Sequence, residues 1–245
     1  MGFPGLYDVH LGCGTQLYRG WVNIDPRHIE SDDPTIDVRE GGCTSLPFAD
    51  GTVNRIFSNA MFEHVFLAQH GVALREWQRV LHRDGMVAAI GIPDFAAVCR
   101  LYLQRAEGIT SDTFELFEAY RYACGFAEGT LWEHGYRWDW DAGEQPDTAP
   151  AGYLPQMHKA LFDSDYLVAL LEHVGLPGTV FRYAYVGEPH VLNLGFVAGH
   201  TQKCVDDLAA LPFIGQYVDP DTLEPVTSHR PTRMVQILRL LERGR

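Results

Sequence analysis

Two glycines, Gly12 and Gly14, close a short apolar run at residues 7–11, and eleven residues after the second glycine a second apolar run, Trp21-Val22-Asn23-Ile24, ends on Asp25. Glycine lets the backbone take left-handed conformations and come close to a ligand, and a carboxylate at the tip of the next strand can accept both hydroxyls of a ribose. A dinucleotide fingerprint needs a third glycine and an acid about 20 residues on, so that pyrophosphate can rest on a helix N-terminus. Leu17 stands at the third-glycine position and Asp25 comes early. About ten residues join the two strands, which leaves room for a helix of only a turn or two. The residues therefore favour a ligand with a ribose and no phosphate, and S-adenosylmethionine is such a ligand.

The elements that must hold these residues follow from periodicity. Short strands are expected at Thr35–Val38 and Asn54–Ser58, a helix over residues 68–82 ended by Asp84-Gly85, and a central strand at Met86–Ile92 covered on both faces. Helical spacing returns at Phe95–Glu107, Asp112–Phe126 and residues 163–174, and a hairpin at Thr179–Val186 and Val191–Ala198. Strands alternating with helices make an α/β fold with a mostly parallel, Rossmann-like sheet and helices on both faces. The expected division is a domain over residues 1–200, with 95–157 as a cap or lid insertion, and a C-terminal helical tail over 201–245. Its amphipathic segments, Val205–Leu211 and the Arg-rich Thr232–Leu241, can dock on their own domain or on a second subunit, as in a homodimer.

At 245 residues and 46% hydrophobic composition, the chain can bury one large core. No run of 18 apolar residues occurs, so no membrane span is expected. Nor is a signal peptide, because Met1-Gly2-Phe3-Pro4 leads straight into the first strand. The five cysteines are scattered and without a Cys-x-x-Cys pair, which suits reduced thiols in the cytoplasm. A formal net charge of −13 disfavours nucleic acid or an anionic membrane as partner and leaves small molecules open.

The motifs also carry a family resemblance. Leu11-Gly12-Cys13-Gly14, Gly20-Trp21-Val22-Asn23-Ile24-Asp25, Leu46-Pro47-Phe48, Ser58–Val65, Arg79–Gly85 and Ile92-Pro93-Asp94 together resemble a class I S-adenosylmethionine-dependent methyltransferase of the type 11 group. The resemblance runs through residues 7–95 and resumes at His158-Lys159-Ala160-Leu161-Phe162. It implies a seven-stranded sheet with an antiparallel last strand. It also implies Gly12, Cys13 and Gly14 beneath the methionine part of the cofactor, Asp25 on the ribose, Cys43 and Thr44 beside the adenine, and Asn59, Ala60 and His64 towards the sulfonium. Some relatives with Glu-x-x-Glu-His chelate a divalent cation. Ala60 replaces the first glutamate here, and Glu63 with His64 alone make a poor site, so no metal is expected.

A methyl acceptor that is a hydroxyl or an ammonium must lose a proton, and histidine suits that task. His158, His134 and His64 are the candidate catalytic residues. Asp94, Tyr136, Arg137 and Trp138 are candidates for substrate binding, the last three within Trp132–Asp141, where three tryptophans and three acids crowd into ten residues. Aromatic faces beside carboxylates suit stacking on a sugar or holding an amine. The expected function is transfer of a methyl group from S-adenosylmethionine to a small-molecule hydroxyl or amine. The alternatives are a non-catalytic S-adenosylmethionine-binding protein and an NAD-dependent oxidoreductase.

Overall fold

The computed structural model describes residues 5–106 and 158–226. Its centre is one sheet of order β3-β2-β1-β4-β5-β7-β6-β8. The strands are β1 (Tyr7–Leu11), β2 (Val22–Asp25), β3 (Asp37–Glu40), β4 (Val53–Asn59), β5 (Leu81–Pro93), β6 (Gly178–Tyr183), β7 (Asn193–Ala198) and β8 (Glu224–Pro225). β1 to β5 pair in parallel, and β7 runs antiparallel between β5 and β6. The expected seven strands are present, and the two-residue β8 adds an eighth on β6.

Side chains alternate between the two faces of a strand, and the core divides accordingly. Val9, Ile56, Val87, Ala89 and Phe196 meet α1 (His70–Val80) and α3 (Ser164–Val174) on one face, through Leu74, Trp77, Leu167 and Leu170. Phe57, Ala88, Ile90, Phe181 and Val197 point to the other face. Among the described residues that second face is not covered by α-helices. It is sealed by Tyr18 and Trp21 and by the C-terminal Leu208, Leu211, Phe213 and Val218. Phe213 stacks on Tyr18 with ring centroids 4.1 Å apart and meets Trp21 and Phe57 edge-on. The described part of the tail is thus packed into the core.

Several elements fall differently from expectation. β3 begins two residues later than Thr35. The helix expected over 68–82 is a 3-10 turn, Leu67–Gln69, followed by α1, and it ends at Val80. Asp84-Gly85 does not end it; the pair lies within β5, where a Cβ on Gly85 would fall 2.6 Å from the Asn54 carbonyl oxygen. Close backbone approach explains that glycine. The connection from β1 to β2 contains turns and no helix. Val205–Ala210 is a 3-10 helix. α2 (Phe95–Ala106) falls at the start of the segment expected as a cap, and residues 107–157, like Thr232–Leu241, lie outside the described residues.

Two buried histidines give the fold an acid limit. Burial pushes His10 and His70 down to about 4 from the usual histidine value. The unfolded chain then takes up protons first as pH falls, so stability should drop from about pH 6.5 towards 4, by on the order of a few kcal/mol in all. Urea unfolding at pH 7 and pH 5 checks this; His70→Gln should flatten the slope.

Candidate functional site

Ligands of open α/β sheets sit beyond the carboxyl ends of the strands, and the candidate residues gather there on β1, β2 and β4. Gly12 and Gly14 have φ of +65° and +50°. The amides of Gly12 and Cys13 both donate to the Ile24 carbonyl, at 2.8 and 3.1 Å, which ties the turn to β2. A Cβ on Gly12 would fall 2.2 Å from Met61 Cγ, so this position needs glycine for both its conformation and its contact. Cys13 is buried beside Asp25, and burial pushes its thiol up to about 11, which makes it a packed residue rather than a nucleophile.

Asp25 closes β2 with its side chain 4% exposed. One oxygen accepts from the Gly14 amide at 3.0 Å, and the other accepts from the Arg27 amide at 3.0 Å and Nε at 2.8 Å. Burial by itself would raise its pKa, but the hydrogen bonds from Arg27 and Gly14 outweigh burial and hold it below the usual carboxylate range. Asp25 is therefore ionised and aimed at the glycine turn, as a ribose acceptor must be. The Arg27 guanidinium, half exposed, spans both oxygens, with Nη2 3.2 Å from Oδ2. A ribose would take over oxygens that Arg27 now occupies. Asp25→Ala should weaken S-adenosylmethionine binding by about 1.5–3 kcal/mol, the worth of a charge-assisted hydrogen bond. Arg27→Ala, which frees the carboxylate, should leave affinity equal or higher. Calorimetry decides, and unchanged affinity in Asp25→Ala would remove Asp25 from the site.

Cys43 and Thr44 are half-buried after β3. The Cys43 carbonyl accepts from Trp77 Nε1 at 2.9 Å, and burial pushes its thiol up to about 11. Asn59 ends β4, and its side-chain oxygen accepts from the Tyr185 hydroxyl at 2.6 Å. Ala60 follows with φ +49°, the single positive φ outside glycine among the described residues. Such strain costs about 1–3 kcal/mol and is retained where the surroundings impose it. Here the Ala60 amide is pinned to the Ile90 carbonyl at 3.0 Å.

The 3-10 turn Phe62–His64 comes next. His158 meets it from 94 residues along the chain, because the Lys159 amide donates to the Glu63 carbonyl at 2.8 Å. The His64 and His158 rings are 5.1 Å apart at 66°. Glu63 is 2% exposed, and burial pushes its carboxyl up to about 8. The sequence reading counted one carboxylate and one imidazole at this place; His158 adds a second imidazole.

Asp94, expected at the substrate, is fully buried, and both its oxygens accept hydrogen bonds. Oδ1 caps α2 through the amides of Ala96 and Ala97, at 3.0 and 3.2 Å, and Oδ2 accepts from Arg182 Nε at 2.9 Å. His134, Tyr136, Arg137 and Trp138 lie outside the described residues. Residues that pattern reading passed over include Arg27, two positions from Asp25 and so open to a local search, and Tyr217. The Tyr217 hydroxyl bonds Tyr18 and Gln16 in the glycine loop from about 200 residues away, a separation with no local signal.

A mostly parallel sheet of this order, with a glycine turn and an acid at the ends of adjacent strands, is a Rossmann-like α/β fold. Residues 9–89 match the family described as a methyltransferase domain. That match is consistent with a class I S-adenosylmethionine-dependent methyltransferase, a family whose cofactor is S-adenosylmethionine. No curated protein sequence matches the chain. Among solved structures it is similar to a Methanosarcina mazei S-adenosylmethionine-dependent methyltransferase, with 13% identity over 82% of this chain and 95% of that one, at a TM-score of 0.48. A Thermotoga maritima methyltransferase, described as a possible histamine N-methyltransferase, shares 12% identity over 81% and 84%, at 0.45. A complex of the Haloferax volcanii Trm112 methyltransferase activator with a methyltransferase shares 14% over 81% and 83%, at 0.45.

Proposed function

We propose that the protein transfers a methyl group from S-adenosylmethionine to a hydroxyl or amino group of a small molecule, such as a sugar, an amine or a natural product. The observation that carries this reading is a placement. Asp25, ionised beside the glycine turn, and the pair His64 and His158 stand beyond the ends of β2 and β4, the two strands flanking β1. The acceptor atom attacks the sulfonium methyl in line, the carbon–sulfur bond breaks with its electron pair going to sulfur, and the acceptor's proton is lost. The methyl is already activated, so the enzyme's work is positioning, exclusion of water and help with that proton. Gly12, Cys13 and Gly14 line the methionine side, Asp25 holds the ribose, Cys43 and Thr44 border the adenine, and Asn59 and Ala60 approach the sulfonium. His158 and His64 promote loss of the acceptor's proton, with His134 a third candidate. The protein acts in the cytoplasm, alone or as a homodimer.

Equilibrium binding of S-adenosylmethionine and of NAD to the purified protein tests the core of this reading. Binding of the first and not the second is expected; the reverse would return the oxidoreductase. Methyl release with a panel of sugars and amines separates an enzyme from a binding protein. Tyr136, Arg137 and Trp138 are proposed to contact the acceptor, so Trp138→Ala should raise its KM several-fold. The affinity for S-adenosylmethionine should not change. A variant with unaltered acceptor kinetics would show that the aromatics only pack.

A further inference from the structure

Three donors of two chemical kinds meet after β4. Glu63, His64 and His158 each present a ligand atom, and these atoms all lie within 4.8 Å of one another. Glu63 Oε1 is 3.8 Å from His64 Nε2. The other carboxylate oxygen, Oε2, is buried with no hydrogen-bond partner among the described residues. A buried carboxylate oxygen left without a donor is costly and is retained where something else satisfies it. The backbone fixes the cluster from both sides. The Lys159 amide holds the His158 segment to Glu63, and Phe162 makes a parallel bridge to Asp94 at the end of β5.

We propose that Glu63, His64 and His158 bind a divalent cation of the Zn²⁺ class and leave a coordination position open to the acceptor's oxygen. Two imidazoles with one carboxylate suit a borderline cation. Mg²⁺ and Ca²⁺ take sets made of oxygen, and softer ions take thiolates. Three protein ligands with an open fourth position is the pattern of catalytic zinc. With metal–donor bonds of about 2.0–2.2 Å, donors around a tetrahedral ion stand roughly 3.3–3.6 Å apart, so a cation would draw these three together by about 1 Å.

The inference rests on the methyltransferase reading for its acceptor and narrows it. A cation acidifies a bound hydroxyl, whereas an ammonium has no lone pair to offer it. The hydroxyl proton leaves to water, the metal-held oxygen attacks the sulfonium methyl, and the carbon–sulfur pair goes to sulfur. The products are the methyl ether, S-adenosylhomocysteine and one proton. The acceptor class is then an alcohol or phenol.

The test uses the full chain, stripped with a chelator, dialysed, and titrated with Zn²⁺ and with Co²⁺, whose visible spectrum reports coordination. One ion per chain is expected. Loss of even an outer-shell partner weakens metal sites about 10–100-fold, so His158→Ala should weaken binding by at least that much. Glu63→Gln, which keeps the buried shape, should do the same. The melting temperature and S-adenosylmethionine affinity of His158→Ala should match the parent, which separates a lost ligand from a lost fold. Zn²⁺ that fails to bind saturably, or that binds His158→Ala as tightly as the parent, would overturn the site. Failure to bind S-adenosylmethionine with the ion still bound would sink the methyltransferase reading alone.

Discussion

Replacing Asp94 with alanine should destabilise the fold by about 3–5 kcal/mol, the cost of breaking a buried ion pair together with a helix cap. Asp94 is fully buried, whereas the Arg182 side chain is 27% exposed, which places the expectation towards the lower end of that range. Two losses add. The first turn of α2 loses the acceptor for the Ala96 and Ala97 amides, and among the described residues Arg182 keeps its bond to Ser164 Oγ at 2.8 Å. Asp94→Asn retains an oxygen for the cap and should cost less than Asp94→Ala. Urea midpoints measure both, and the folded fraction of each variant should bind S-adenosylmethionine normally. An alanine variant of parental stability with a raised KM for the acceptor would return Asp94 to the substrate.

Phe213→Ala should cost about 3–5 kcal/mol as well, because deleting a buried aromatic loses its transfer energy and leaves a cavity. Phe213 is 8% exposed at the centre of the second face, against Tyr18, Trp21 and Phe57. The loss should reach the glycine loop, since the same C-terminal segment supplies Tyr217 to Tyr18 and Gln16. Thermal melts with and without S-adenosylmethionine check this. A cost under about 1 kcal/mol, the level of a surface change, would mean that the segment covers the sheet without stabilising it.

The cofactor half of the site was legible because its signals are local. Gly12 and Gly14 announce a turn by their type, Asp25 ends an apolar run, and the two strands they close lie next to each other in both chain and sheet. The boundaries of β3, α1 and β5 shifted where local chemistry competed. Asp84-Gly85 reads as a turn, and it falls where the pairing of β5 with β4 shifts register, between Leu81 opposite Val53 and Met86 opposite Arg55. The partners of Asp94 were not legible locally. An acid at the end of a central strand can serve a substrate or a helix N-terminus, and only Arg182, 88 residues away and presented by β6, decides between them.

The chain's sequence by itself determined the α/β class, the parallel core and the ribose-type acid, because strand period, glycine conformation and strand-end position are properties of a few consecutive residues. Tertiary structure decided what depends on distant segments arriving together. The C-terminal residues 205–218 seal a sheet face on which helices were expected, and the β1–β2 connection forms turns in place of a helix. His158 joins Glu63 and His64 because a backbone hydrogen bond seats its segment there. Burial then sets the electrostatics. The same carboxylate group is held ionised at Asp25 by Arg27 and pushed up to about 8 at Glu63 by the loss of water.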